Sequence, residues 1–339
     1  MKKPQVIVLA TLLVILIVGL SFYPLRAGAL VRYPSRRVAQ LSGAHDGVTD
    51  AAPTAADVAL ERTLFQTIGK LDYVAAGAGI RNTGHGTISL RVPLGATVVK
   101  AFMFWGVIRN STFAGENKAT LNGELVTGTL ICTNVSPCWV PTTIATYWAD
   151  VTSVFTRTSG PVDTHEVGGF VSSNRNGQDP WWNSAPNTAT NPTSQTPPML
   201  DGVSLVVIFT SSNLPTRYLL LIAGCYTAIG GVLTLTVNHA AHTLGNPVET
   251  TAFVLDGQVA LLATPTGKSY AVNAVTLQSD TLRGVDPSLT SYATVKGSLS
   301  DTLTFYDLDT IIGAAAVSHT VTVNGDGDCL TWVYYVYVG

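Results

Sequence analysis

The chain is poor in charge. Of its 339 residues only 12% are Asp, Glu, Lys or Arg, about half the share of an ordinary soluble domain. The 19 basic and 21 acidic side chains leave a net charge of −2. No basic stripe is available to follow a phosphate backbone, which argues against nucleic-acid binding. Helix formers such as Glu, Lys and Gln are scarce. No stretch sustains a helical apolar period except Leu60–Ile68, so an α-rich fold is not expected. Signatures of catalysis are missing too. There is no G-x-S-x-G elbow, and His239-Ala-Ala-His242 lacks the Glu and the helical setting of a zinc protease site. No C-x-x-C pair exists, and no histidine stands at ligand spacing beside a cysteine, which argues against a structural zinc site. The acidic residues are spread through turns and mark no carboxylate pair for glycoside hydrolysis. A non-enzymatic protein is expected.

What the chain has in quantity is Thr, Val, Gly, Ala and Pro, with a mean hydropathy of +0.31. That composition suits strands joined by small-residue turns. Lys2 and Lys3 precede an uncharged run, Val6–Phe22, and Ala27-Gly28-Ala29 offers a small-x-small cleavage site. Residues 1–29 therefore read as a secretory signal peptide or, if uncleaved, as an N-terminal membrane anchor helix. Either reading places the rest outside the cytoplasm, exported by the general secretory route. There the four cysteines, Cys132, Cys138, Cys225 and Cys329, are expected to form disulfides. The favoured pairing is Cys132–Cys138, closing a small loop, with Cys225–Cys329 tying the middle of the chain to its last strand.

Residues 30–62 lack periodicity and read as a flexible linker. Beyond them come short strands separated by turn signals, among them Val98–Ile108, Val203–Thr210 and Cys329–Val338. Asn122-Gly123 marks a hairpin, and Asp256-Gly257 reads as a second turn. Tyr147–Phe155 (YWADVTSVF) starts as a strand and breaks at Asp150. About 157 residues later Phe305–Ile312 (FYDLDTII) repeats the pattern, with Asp307 where Asp150 stood. Each copy is followed by another strand. The expected fold is all-β: two jelly-roll-like antiparallel sandwiches related by an internal repeat, at residues 63–210 and 211–339.

The blocks AFMFWGVI, ATLNGELVTGT, TYWADVTSVF, GVSLVVIF, TTAFVLDGQ and GDCLTWVYYVYV, in that order, resemble those of a family of secreted prokaryotic cell-surface proteins defined by a domain of unknown function. The likeness runs from roughly Thr87 to Gly339. It implies a cell-surface or extracellular β-rich protein and brings no catalytic residues with it. The first half separately resembles galactose-binding-like jelly rolls, in which an LNG hairpin precedes a D-V-T turn, with no sugar-contacting motif to carry across.

Few residues stand out as sites. Trp181-Trp182 opens a long polar loop, where adjacent indoles can stack on sugars, pack on another subunit, or cap their own core. Asn324, Asp326 and Asp328 place oxygens at alternate positions, as a calcium loop begins, although no distal Glu follows and a polar hairpin turn is the simpler reading. No other metal or cofactor is expected. Asn110 and Asn134 head glycosylation sequons. The function expected is structural or adhesive at the cell surface, through self-association or contact with other surface components, with residues 30–62 as a strand donor to a neighbour. The alternative is a carbohydrate-binding module that holds glycans through Trp181 and Trp182.

Overall fold

A computed structural model describes residues 60, 62–80, 83–136, 142–157, 162–173, 197–229, 231–243, 245–257, 268–279, 282, 286–287, 299–326 and 329–339. The expected signal or anchor helix at residues 1–29, Trp181, Trp182, Cys138 and Asp328 lie outside the described residues, as do all but Leu60 and Arg62 of the expected linker. The described chain is all-β, in four antiparallel sheets.

After β1 (Arg62–Gly69), the first half contributes β2 (Leu71–Gly79), β3 (Gly86–Leu90), β4 (Thr97–Arg109), β5 (Lys118–Leu121), β6 (Glu124–Thr127), β7 (Thr129–Val135), β8 (Thr143–Asp150), β9 (Asp163–Gly168) and β10 (Met199–Thr210). They make two sheets, ordered β2-β10-β4-β8-β7 and β3-β9-β5-β6. The second half contributes β11 (Arg217–Ile229), β12 (Val232–Asn238), β13 (Glu249–Gly257), β14 (Ser269–Val272), β15 (Val275–Ser279), β16 (Leu299–Phe305), the one-turn helix α1 (Asp309–Ile312), β17 (Ser318–Asn324) and β18 (Cys329–Val338). Its sheets are ordered β1-β11-β18-β13-β16 and β12-β17-β14-β15. With β1 and β7 set aside, each half has eight strands ordered first-eighth-third-sixth opposite second-seventh-fourth-fifth. That is the jelly-roll order, and it occurs twice.

The repeat extends to single residues. Asp150 ends the sixth strand of the first half and Asp307 follows the sixth strand of the second, at φ 58°. Asn122 and Gly123, at φ 54° and 86°, make the two-residue turn between β5 and β6. Asn273 and Ala274, at 48° and 62°, make its counterpart between β14 and β15. Each asparagine side-chain oxygen then accepts from the seventh strand: Asn122 from the Glu166 N–H at 3.1 Å, Asn273 from the Thr320 N–H at 2.9 Å. Residues 271–277 read by composition as a single apolar strand but form this hairpin, because Asn tolerates the left-handed region. Asp256-Gly257 departs from expectation in the other direction. Asp256 has φ 68°, yet β13 continues through it as a bulge opposite Ser300 and Leu299. Leu60–Ile68, which carried the one hint of helical period, lies mostly in strand β1.

The layers explain the patterning. The sheets containing β4 and β18 are inner layers, buried on both faces. In β4, Ala101, Met103, Trp105 and Val107 point into the first jelly roll, while Phe102, Phe104 and Ile108 point toward the second half. Two-sided burial is why these strands read as continuous apolar runs. The outer strands β12 and β17 alternate exposed and buried residues, as strands with one wet face do. A third apolar core lies between the inner sheets, joining Phe104, Val206 and Ile208 to Leu221, Phe253 and Val336. All described residues belong to one compact unit. The expected boundary at 210 falls between β10 and β11, and β1, which precedes it, hydrogen-bonds across it to β11 from Arg62 to Gly69. A single residue, Lys70, carries the chain from β1 in one inner sheet to β2 in the other.

Candidate functional site

A network of polar side chains lies in the seam between the inner sheets. At its centre the Tyr334 ring packs on Phe104, with centroids 4.6 Å apart, and on Phe253 at 5.5 Å. Its hydroxyl meets Ser204 Oγ from the opposite sheet at 2.8 Å. Thr302 Oγ1 donates to Ser204 Oγ at 3.0 Å and also lies 3.1 Å from Asp286 Oδ2. Asp286 further accepts from Ser300 Oγ at 2.9 Å and from the Thr302 N–H at 3.0 Å. Tyr73 OH reaches across to Thr251 Oγ1 at 2.8 Å. Burial raises the Asp286 carboxyl to about 6 despite the three hydrogen bonds that favour its charge. It also drives the Tyr73 and Tyr334 phenols up, so both stay neutral.

Close approach requires glycine at two points here. A Cβ on Gly77 of β2 would collide with the Asp286 carboxylate and Thr302 Oγ1, and one on Gly202 of β10 with Ser300. Both collisions are between halves, so these glycines set how closely the inner sheets meet.

The two margins of the seam are fastened differently. At one, the buried Arg217 guanidinium pairs with Asp72 of β2 and lies 3.6 Å from Glu249 of β13. Burial comes first in raising the Glu249 carboxyl to about 7, and the like charge of Asp72 adds to it, only partly offset by Arg217. At the other margin Cys132 of β7 is bonded to Cys225 of β11. Asn134 Nδ2 donates to the Cys225 carbonyl and to Thr227 Oγ1, both at 3.1 Å, and Thr146 Oγ1 donates to the Gly224 carbonyl at 3.1 Å. The expected Cys132–Cys138 and Cys225–Cys329 pairing is therefore corrected. β7, an extra strand at the edge of its inner sheet, lies over β11 and brings the two Cα atoms to 5.9 Å. Cys138 and the Cys329 side chain lie outside the described residues. The same geometry occupies the Asn134 amide, while Asn110 is exposed.

The other sequence candidates are not brought together. Asn324 Oδ1 accepts from the Asp326 N–H at 3.1 Å, the geometry of a closed polar turn. Among the described residues no group of three or more His, Cys, Asp or Glu is placed to hold a metal ion. Asp150 lies beside Lys100, at 2.5 Å, and caps its own turn through the Thr152 N–H at 3.0 Å. Partial burial opposes its charge, but the bonds from Lys100 and Thr152 outweigh that and hold the carboxyl below the ordinary value. A cavity of about 600 Å³ opens on the flank of the second jelly roll between β1 and β12, lined by Ile68, Leu220, Ile222 and His239 among others, with no carboxylate among the described residues of its wall.

Arg217, Asp286, Ser204 and Tyr334 were not marked by the sequence. Each finds its partners in another strand, often in the other half, and no local spacing announces such pairs. The only local signal is the Gly77-Ala78-Gly79 sequence in β2, which reads equally well as a turn.

No protein-family model and no curated protein matches the chain. Among solved structures it is similar to the major capsid protein P2 from bacteriophage PM2, at 8% identity and a TM-score of 0.25, covering 79% of this chain and 97% of that one.

Proposed function

We propose that the protein is an extracellular structural subunit, a rigid β block that associates with copies of itself or with other components of a cell surface, and that it performs no catalysis. The observation that carries this reading is the seam. Two jelly rolls that could have been hinged are instead joined through an apolar core, cross-sheet hydrogen bonds, an ion pair and a disulfide. Relative domain motion is the default unless the interface between domains is well packed and hydrophobic, and this one holds an apolar core of its own. A block of this kind holds shape under load, and among the described residues each sheet ends in two edge strands, β12 and β15 or β3 and β6 in the outer sheets, on which a neighbour can add a strand. The cross-seam disulfide supports an oxidising, extracytoplasmic setting.

The N-terminal strand supports the assembly reading in a specific way. β1 precedes the first jelly roll but completes an inner sheet of the second half. Its Arg62 guanidinium lies 5.6 Å from the Trp148 ring and donates to the Leu130 carbonyl at 3.2 Å. The chain thus already adds a strand to a sheet edge within one molecule, and the residues ahead of β1 are the natural candidates to do so between molecules. Multi-angle light scattering over a concentration series tests this. Mass rising with concentration is expected, and monomers at every concentration would refute it.

A further inference from the structure

Inside the open flank of the second jelly roll, three imidazoles gather among tyrosines. His239 and His242 lie just after β12 and His319 lies in β17, with 7%, 6% and 3% of their surfaces exposed. The His239 and His319 ring centroids are 5.0 Å apart. Tyr337 of β18 lies 4.2 Å from His239 and 5.2 Å from His319, and the Tyr218 ring of β11 lies 6.3 Å beyond it. Tyr335 OH meets His319 Nε2 at 2.7 Å. His242 sits at the chain end, where a Cβ on Gly339 would come within 3.2 Å of the His242 Cβ.

The Ala240 carbonyl favours charge on His239, but the other ring surroundings suit the uncharged imidazoles. His239 Nδ1 faces the Ala240 carbonyl at 2.8 Å and so carries the proton. Among the described residues His239 Nε2, His319 Nδ1 and both nitrogens of His242 have no partner, nor does Tyr337 OH. A second proton on any ring would bury a charged N–H without an acceptor, close to another imidazole. The charges that bear on the cluster follow the same logic. Asp309 of α1 favours the charged form of His242, while His239 is opposed by His242 and His319 by His239. Glu249, Asp72 and Arg217 lie in the seam, on the opposite face of the inner sheet. Burial lowers all three imidazoles and holds His319 down to about 3. The 600 Å³ cavity reaches His239 and gives water a route to the cluster.

We propose that this cluster is an acid-operated latch: its neutral rings close the flank of the second jelly roll, and mild acid opens β12, the 239–243 segment and β17 while the seam and the first jelly roll stay shut. A buried base of lowered basicity stabilises the closed form above its ordinary pKa and ceases to do so as pH falls below it. The opened flank uncovers Leu233, Leu235, Val237, Val321 and Val323, now buried beneath it.

Hydrogen exchange followed by mass spectrometry on the full chain, corrected for intrinsic rates, tests this. With an ordinary value of 6.5 in the open form and about 3 in the closed form, His319 alone shifts opening at pH 5 by about 30-fold. Protection of β12 and β17 should fall by at least about that factor between pH 7.5 and pH 5, and that of β4 and β10 should hold. In the double variant His239→Gln with His319→Gln, which keeps hydrogen-bonding groups without the titration, most of the acid loss should vanish. If that variant does not fold at pH 7.5, the single His239→Gln should still reduce the loss. Unchanged wild-type protection of β12 and β17 at pH 5, or an undiminished loss in the glutamine variants, would overturn the latch.

Discussion

Removing the Cys132–Cys225 bond is the perturbation whose size is best defined. The bond spans 93 residues and joins the extra edge strand of the first half to the first strand of the second. In the chain-entropy treatment a closed loop of that length restricts the unfolded chain by about 4.7 kcal/mol. At about 2–4 °C per kcal/mol for a domain of roughly this size, the double variant Cys132→Ala with Cys225→Ala should melt roughly 9–19 °C lower. It should still fold. Asn134 and Thr146 continue to bridge the same margin, and the apolar seam is untouched. Two assays decide it. A peptide map under non-reducing conditions should recover the peptides containing Cys132 and Cys225 as one cross-linked species, and scanning calorimetry should show the lowered transition. A Cys132–Cys138 species in the map would refute the connectivity. An unchanged melting temperature would refute the idea that the bond restrains a cooperatively unfolding pair of halves.

Replacing Arg217 by Met leaves Asp72 and Glu249 facing each other without a cation in the seam, and urea unfolding should register a loss of about 3–5 kcal/mol. Gly77→Ala pushes a methyl into the Asp286 carboxylate and Thr302. It should destabilise by about 1–3 kcal/mol, whereas the same change at exposed Gly95, with nothing nearby, should show only the strain of its positive φ. Glu249 has a folded value near 7, above its ordinary 4.5. The protonated carboxyl therefore favours the fold at low pH, and that contribution fades as pH rises through about 7. In Glu249→Gln the decline in stability between about pH 5 and pH 8 should be shallower than in wild type, as read by urea midpoints across pH.

How much of this was legible in the sequence follows from the range over which each signal acts. Asn122-Gly123 fixed its hairpin because a two-residue turn needs positive φ at both positions, a local demand. The repeat of Asp150 in Asp307 was legible because both residues close the sixth strand of a jelly roll and face the same turn problem. The apolar runs of β4, β10 and β18 revealed strands but not that two sheets share a middle core, since burial on both faces by one layer or by two gives the same run. β1 was obscured because it contributes little to any core: its residues are mostly exposed or half-buried, and its place is set by a ladder with β11, about 155 residues away. The disulfide was misjudged for a related reason. Sequence proximity favoured Cys138, but the ladder between β7 and β8 carries Cys132 over β11. The seam's polar centre was invisible because Ser204, Asp286, Thr302 and Tyr334 become neighbours only after both jelly rolls have formed.

The structural role is tested most directly by negative-stain electron microscopy of the oxidised protein, residues 30–339, at increasing concentration. The account expects filaments, chains or regular arrays built from a compact two-lobed unit, lost or shortened when residues 30–61 are removed. Discrete, monodisperse particles at every concentration would contradict it.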